Sequence, residues 1–478
     1  GTGKTLVLTR RIEYLIDVKG VNPNQILALT FTRAAAGELA KRVASALGDE
    51  NTPRISTLHS FALKQLLRNS RKIISLPQPL RIADDWEEAN IIFPDIKRLL
   101  KLSKIKLAKE LFDSLASDWE SLVPEENLTP DPKFIANWKT HRKIFGYTLR
   151  SELVYQLKRS IEQIPDFELE HPLRYLLVDE YQDLNKCELA VVKAIEDQSS
   201  VEVYIAGDDD QSIYLFRKAH PEGIRSFHKD FEDVQDIPLT ICKRCDSSIL
   251  DIAEFVASLD DERLPKKIYP EPGRNAGEVK LLAFTNQFSE AEGIARICKH
   301  LIEKKNISPE QILILLRSDS NGVFSREIVE AFGKEIPISI SKKEGSIFDT
   351  TFGRQLIAIF RLLRNREDHL SWRTLIQIRT KNSLGEKAQS DLYNLARENN
   401  LGYYGVIIAA INNSIQVGFR DRLLTEYELI SSLINSVNEV VNSGQNPLLQ
   451  VKQIIDFVLP EEYRQPMIQF FMELIEKE

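Results

Sequence analysis

Three stretches of the sequence predict an α/β fold, a parallel sheet with helices on both faces. Gly1-Thr2-Gly3-Lys4-Thr5 reads as the last five positions of G-x-x-x-x-G-K-[ST] and runs into an apolar pattern of helical period. Tyr175-Leu176-Leu177-Val178 is wholly apolar, as expected of a strand buried on both faces, and ends in Asp179-Glu180. Val201-Glu202-Val203-Tyr204-Ile205-Ala206 reads as another strand and leads into Gly207-Asp208-Asp209-Asp210-Gln211.

The first stretch carries phosphate chemistry. In such a loop the backbone N–H groups cradle phosphates, so Gly1, Thr2 and Gly3 supply the cradle. Lys4 reaches the outer phosphates and the Thr5 hydroxyl takes Mg²⁺. The apolar positions Leu6-Val7-Leu8, Ile12 and Leu15-Ile16 place a helix directly after the loop. That is the arrangement phosphate binding needs, because a helix N-terminus offers free N–H groups and a positive dipole end. The first Gly of the motif would precede residue 1 and there is no initiator Met, so the chain is expected to be a fragment missing its first strand.

The second stretch adds carboxylates. Two adjacent acids at the C-terminal end of a buried strand lie where ligands bind in open α/β sheets. Asp179 suits Mg²⁺ held on the phosphates, and Glu180 suits activation of the attacking water. The alternative is a solvated acidic turn capping a helix, and the phosphate loop in the same chain weighs against it. In the third stretch Gln211 is polar and neutral, suited to reading a terminal phosphate or orienting water. Tyr214, Phe216 and Arg217 follow. Aromatic rings stack on bases and Arg pairs with phosphates, the usual means of holding a single strand without reading its sequence. The competing reading is a turn into a packed helix, with Tyr214 and Phe216 in the core.

Bulk properties narrow the class. The 478 residues predict roughly two to four domains. A composition of 43% hydrophobic, 28% charged and 8% aromatic residues is globular. No run of about 18 apolar residues occurs, so no transmembrane helix is expected. Four Cys fit a reducing, cytoplasmic setting and argue against a disulfide scaffold. Cys242-Lys243-Arg244-Cys245 lacks a partner pair at metal-ligand spacing and reads as ordinary thiols. A net charge of −7 excludes indiscriminate coating of nucleic acid but leaves room for a local groove.

Together these segments resemble the UvrD/Rep/PcrA-type superfamily 1 DNA helicases. Asp179 to Asn185 matches D-E-x-Q-D-x-N, and Gly207 to Arg217 matches G-D-x-D-Q-S-I-Y-x-(W/F)-R. Ala28-Leu29-Thr30-Phe31-Thr32-Arg33 matches the strand ending T-F-T, and Thr57-Leu58-His59-Ser60-Phe61 matches T-x-H-S, all in the family's order. The resemblance implies ATP and Mg²⁺ as cofactors. Lys4 and Thr5 would bind phosphates and Mg²⁺, Asp179 would hold the metal, Glu180 would be the base, and Gln211 would couple the γ-phosphate to the DNA groove. Thr30, Phe31, Thr32, Thr57, His59 and Ser60 would line the single-strand path, with Phe216 as stacking platform. His59 is otherwise a satisfied core or capping residue. Leu239 to Cys245 falls on L-x-x-N-Y-R-S, which puts Arg244 on the γ-phosphate. Lys243 and Leu6 replace the family's usual Tyr and Arg on the two faces of the adenine, so base selectivity is left open. Arg33 and Ala34 depart from the usual Asn-Lys.

By this resemblance residues 1–65 and 168–250 form the first RecA-like lobe, with 66–167 a helical insertion whose charges form a solvated face. Residues 275–380 begin a second RecA-like lobe, with strands at 278–282 and 311–317 and a helix over 290–304, and 381–478 form a truncated helical subdomain. No T-x-H-x-x-K-G-L-E or V-A-x-T-R-A is present, so the fragment is expected to bind nucleotide weakly and hydrolyse it poorly. The implied activity is ATP-dependent 3′–5′ movement on single-stranded DNA with unwinding of duplexes, in repair, replication or recombination. Single-stranded DNA and its junctions with duplex are the implied partners, and the implied state is a monomer or weak dimer. The alternatives are a non-motor, ATP-gated DNA clamp and the motor half of a helicase–nuclease.

Overall fold

The structure, a computed structural model, describes residues 1–478 apart from 171, 215–217, 320–321, 334–335, 341–346, 380–383 and 476–478, and apart from the side chains of 447, 462–463 and 473–475. Residues 1–244, 254–271 and 346–478 form one compact unit, and residues 245–253 with 272–345 form another.

The first unit is built on a parallel sheet. Strands β1 (Ile26–Thr30), β2 (Arg54–Thr57), β3 (Tyr175–Val178) and β4 (Glu202–Ile205) lie in the order β2-β1-β3-β4. Register sets Thr30 beside Thr57, Leu29 beside Val178, and Val178 beside Ile205, so the C-terminal ends share one edge. Side chains alternate between faces with the period of two that a strand imposes. Ile26, Ala28 and Leu177 pack in one cluster with Leu8, Ile12, Leu39 and Val43, from α1 (Lys4–Glu13) and α2 (Arg33–Leu47). Leu27, Leu29, Leu176 and Val178 pack in the other with Leu58, Phe61, Leu157, Val191 and Ile195. These come from α3 (Leu58–Arg68) and the helices Leu153–Gln163 and Lys186–Ser199. The sheet is thus covered on both faces, the α/β architecture expected from the sequence. Each such apolar side chain contributes about 1.5–3 kcal/mol on burial.

The helical residues of the insertion divide differently from the expectation. Residues 153–163 belong to the sheet's second face, whereas Ala83 to Leu149 form their own core around Trp119, Trp138 and Phe145. That core is shared with residues far along the chain. Leu356, Ile359, Leu370, Trp372, Tyr393, Tyr403, Val437 and Ile455 are buried in the same cluster. Helices Thr351–Arg364 and His369–Arg379, expected within a second lobe, therefore pack here instead.

Three of the charges read as a solvated face, Arg81, Asp84 and Glu87, turn out to pair in the interior, whereas Lys104, Lys106 and Lys109 are exposed. Arg81 donates to Asp368 at 2.9 Å and to Glu87 at 3.0 Å. Arg354 reaches Asp84 at 2.6 Å, and Arg361 reaches Asp84 at 3.0 Å and Glu87 at 2.7 Å. All of these contacts except Arg81–Glu87 join residues 81–87 to residues 354–368. Long arginines can cross an apolar seam only if carboxylates meet them there, since an unpaired buried charge is costly.

In the second unit, Gln287–Lys305 is a helix capped by Asn286, which accepts from Ser289 N at 2.9 Å, and Ser325–Phe332 follows it. The strands expected at 278–282 and 311–317 are not formed among the described residues. Leu281 is 99% exposed and Leu313 79% exposed. A strand exists only where neighbours take its backbone hydrogen bonds, and no strand among the described residues pairs with these segments.

Candidate active site

The shared edge of the sheet gathers the predicted phosphate residues. Gly3 takes φ 94°, a left-handed conformation that favours glycine, and hands the chain into α1, with Val7 N donating to Gly3 O at 3.0 Å. Lys4 and Thr5 open that helix. From β3, Asp179 is held by its own N–H to Leu29 O at 2.9 Å and by burial, its side chain being 5% exposed. Thr5 Oγ1 donates to Asp179 Oδ2 at 3.3 Å.

Glu180 adopts the left-handed region at φ 50°, ψ 48°, which for a residue with a Cβ costs about 1–2 kcal/mol. The turn is secured by Tyr181 N to Ala206 O at 3.0 Å and Glu180 N to Asp179 Oδ1 at 3.0 Å. The strain aims Glu180 at the phosphate loop, where Lys4 Nζ donates to its Oε2 at 3.0 Å. Lys4 Nζ also donates to Gln211 Oε1 at 3.2 Å, so three predicted residues converge on one point. Arg244 sits beside the loop. Lys243 N donates to Gly1 O at 3.0 Å, and a Cβ on Gly1 would lie 2.7 Å from Arg244 Cβ. Gly1 therefore cannot be replaced without displacing that segment.

Thr5 and Asp179 fit a divalent cation. They offer hard oxygen donors side by side at the loop. Burial, and then the Glu180 charge, push the Asp179 carboxyl up from its ordinary range, and a cation would offset both. When bound, Mg²⁺ would neutralise charge on the phosphate oxygens.

The predicted DNA residues divide. Phe31 and Tyr214 come together, with ring centroids 5.1 Å apart at 37°. His59 is exposed in the first turn of α3 rather than packed in the core, its Nδ1 3.9 Å from Glu188 Oε1. Thr32 and Thr57 serve as N-caps, accepting from Ala35 N at 3.0 Å and Ser60 N at 3.3 Å. The Thr57 hydroxyl also donates to Ser60 Oγ at 3.0 Å, and Thr30 Oγ1 donates to Thr32 O at 3.0 Å. Thr30 and Thr57 are 5% and 9% exposed, so they shape the edge from within. Phe216 and Arg217 lie outside the described residues.

Sequence reasoning missed Gln182 and Asp183. Gln182 is 1% exposed and bridges the two acidic turns. Its Nε2 donates to Glu180 Oε2 at 3.0 Å and its Oε1 accepts from Asp208 N at 2.9 Å. Gly207 permits this approach, since a Cβ there would lie 2.8 Å from Gln182 Oε1 and 2.6 Å from Ile224 Cδ1. Both missed residues stand at fixed places in the D-E-x-Q-D match, which was the available signal.

Asp183 is buried, and its Oδ1 has no hydrogen-bond partner among the described residues. Burial, then the charge of Glu180, push its carboxyl up to about 6, against the pull of Lys4. A carboxyl raised on folding favours the fold at low pH. That contribution is complete below its ordinary range and is lost as pH rises through about 6. Asp183→Asn is therefore expected to raise the melting temperature at pH 8 and to change it little at pH 4. Thermal denaturation at both values checks this, and an equal shift at both would contradict it.

Comparison with known proteins bears on the whole chain. Residues 1–232 match the model of the UvrD/REP helicase N-terminal domain, and residues 237–422 match that of the UvrD-like helicase C-terminal domain. The chain is 27% identical over 489 aligned positions to a protein named ATP-dependent DNA helicase PcrA of Staphylococcus aureus, covering 98% of this chain and 64% of the relative. It is 30% identical over 456 positions to one named DNA helicase II of Haemophilus influenzae, covering 91% of this chain and 60% of the relative. No helix among the described residues is long and apolar enough to cross a membrane.

Proposed function

The chain belongs to the UvrD/REP helicase family, and on that footing we propose that it is the part of an ATP-dependent DNA helicase that binds and hydrolyses ATP. The chain spans about 60–64% of the length of the relatives it matches, so the activity belongs to the whole protein. The observation that carries the reading is the convergence of Lys4 on Glu180 and Gln211. Gln211 shares its loop with Tyr214, whose ring meets Phe31. One short segment therefore joins the terminal phosphate to an aromatic surface fit for a base.

The steps follow from the groups. The loop N–H groups and Lys4 would take the phosphates, Thr5 and Asp179 would hold Mg²⁺, and Arg244 would meet the outermost phosphate. A γ-phosphate seated at Lys4 draws its ammonium off Glu180, whose carboxylate then accepts a proton from the water as the water oxygen bonds to the γ-phosphorus and the bond from that phosphorus to the β-phosphate oxygen breaks, leaving ADP and phosphate. Gln211 follows the phosphate and moves the Tyr214 segment with it, so loss of the γ-phosphate is felt at the strand held by Phe31, Tyr214, Phe216 and Arg217. Residues 275–345 begin the second lobe. Movement is 3′ to 5′, and the working substrate is a junction of single-stranded and duplex DNA.

Strand displacement by the full-length protein on duplexes bearing a 3′ or a 5′ single-stranded tail tests this. ATP-dependent release from the 3′-tailed substrate alone is expected. Equal release from both, or binding of DNA with no release from either, would refute the directional motor.

A further inference from the structure

Beyond Gln211 lies a cluster that the proposed chemistry does not use. Asp208, Asp209 and Asp210 follow β4, and their carboxylates converge closely enough to hold a cation. The chain supplies that cation from a distant segment. Lys266 Nζ lies 2.6 Å from Asp208 Oδ1 and 3.2 Å from Asp210 Oδ2, and it also pairs with Asp209. Arg263 forks onto Asp210 at 3.1 and 2.8 Å, and Leu264 N donates to Asp209 Oδ2 at 2.8 Å. The Asp209 side chain is fully buried, and Arg225 closes its other side at 3.2 Å. Burial pushes the Asp209 carboxyl up, but Lys266 and the Leu264 amide overcome that and hold it below the ordinary range.

The segment that carries these cations runs on to the strand that precedes Arg244. Strand β6 (Tyr269–Pro270) pairs in parallel with β5 (Ile241–Cys242), through Tyr269 N to Thr240 O at 2.7 Å and Glu271 N to Cys242 O at 3.0 Å. Directly after β5 come Lys243, bonded to Gly1, and Arg244. At its other end the segment grips Asp208, whose Oδ2 accepts from Gln211 Nε2 at 2.6 Å. One stretch of chain thus ties the residue before Gln211 to the strand before Arg244.

We propose that residues 260–271 form a strap that sets the spacing of Gln211 and Arg244, with Lys266 and Arg263 as positioning residues for recognition of the γ-phosphate. This rests on the nucleotide reading of the site. Removing the Lys266 charge takes the cation from Asp208 while Arg263 and Arg225 still meet Asp210 and Asp209, so Asp208, which holds Gln211, is repelled by its two neighbours and the root of the Gln211 loop shifts. The β-phosphate contacts made by the loop and Lys4 are untouched. The defect is therefore specific to the terminal phosphate, unlike that of a general loss of structure.

The test is binding of Mg²⁺-ADP and of a Mg²⁺-bound, non-hydrolysable ATP analogue to the full-length protein, as wild type, Lys266→Met and Lys266→Arg. In Lys266→Met, affinity for the triphosphate is expected to fall about tenfold, the effect of losing roughly one charged hydrogen bond, while that for ADP holds. Lys266→Arg is expected to restore the preference. Parallel loss of both nucleotides, or no loss of either, overturns the strap. If Lys266→Met does not fold, Arg263→Gln is read by the same ratio. A wild type that binds neither nucleotide would instead overturn the nucleotide reading, and the strap with it.

Discussion

Replacing Glu180 by Gln is expected to lower ATP turnover by about 10²–10⁴-fold while leaving nucleotide affinity near the wild-type value. Gln keeps the size of the side chain and can still meet Lys4 and Gln182, each now 3.0 Å from Glu180 Oε2. It loses the negative charge and the ability to take a proton from water. Nothing that holds the phosphates is removed, since Lys4, Thr5 and the loop backbone stay in place. Loss of a repelling carboxylate beside the triphosphate favours binding if it changes it at all. Single-turnover hydrolysis beside equilibrium binding separates the two effects. Turnover within about threefold of wild type would show that Glu180 is not the base.

The second large effect concerns the helical core. Asp95 is 3% exposed and faces Arg98 at 3.0 Å, His141 Nε2 at 3.3 Å and Arg373 at 3.5 Å. Burial pushes its carboxyl up, but Arg373, His141 and Arg98 together overcome this and hold it at about 2. Asp95→Ala leaves the Arg373 charge inside uncompensated and His141 Nε2 without its partner, at a cost of about 3–5 kcal/mol at pH 7. A carboxylate depressed on folding contributes above its ordinary range and ceases to as pH falls through about 2. The difference between variant and wild type is therefore expected to shrink towards pH 2. Denaturant unfolding at pH 7 and at low pH measures both. A cost below about 1 kcal/mol at pH 7 would mean that residues 95 and 373 do not share an interior.

The two sites differed in how far the sequence exposed them. Lys4, Asp179, Glu180 and Gln211 were legible because phosphate chemistry needs fixed residue types at the ends of strands, and buried parallel strands such as Ile26–Thr30 are apolar throughout. The helical core was not. Amphipathic spacing tells which face of Ile105–Glu120 or Thr351–Arg364 is apolar, but not which other helix covers it. Arg81 and Arg354 likewise look like any surface arginine until Asp368 and Asp84 meet them from the far end of the chain. Apolar runs misled at 278–282 and 311–317, where composition suits a strand but the described residues provide no neighbour to pair with it. Lys266 carries no local signal, since its carboxylates lie 56 to 58 positions away and only the fold brings them together.

The most direct measurement is ATP hydrolysis by the full-length protein with and without single-stranded DNA. Strong stimulation by DNA, lost in Glu180→Gln, is the expected result of the proposed coupling, in which the loop carrying Gln211 and Tyr214 joins the phosphate site to the strand. Steady hydrolysis indifferent to DNA would contradict that coupling, leaving Phe31 and Tyr214 as an ordinary aromatic pair.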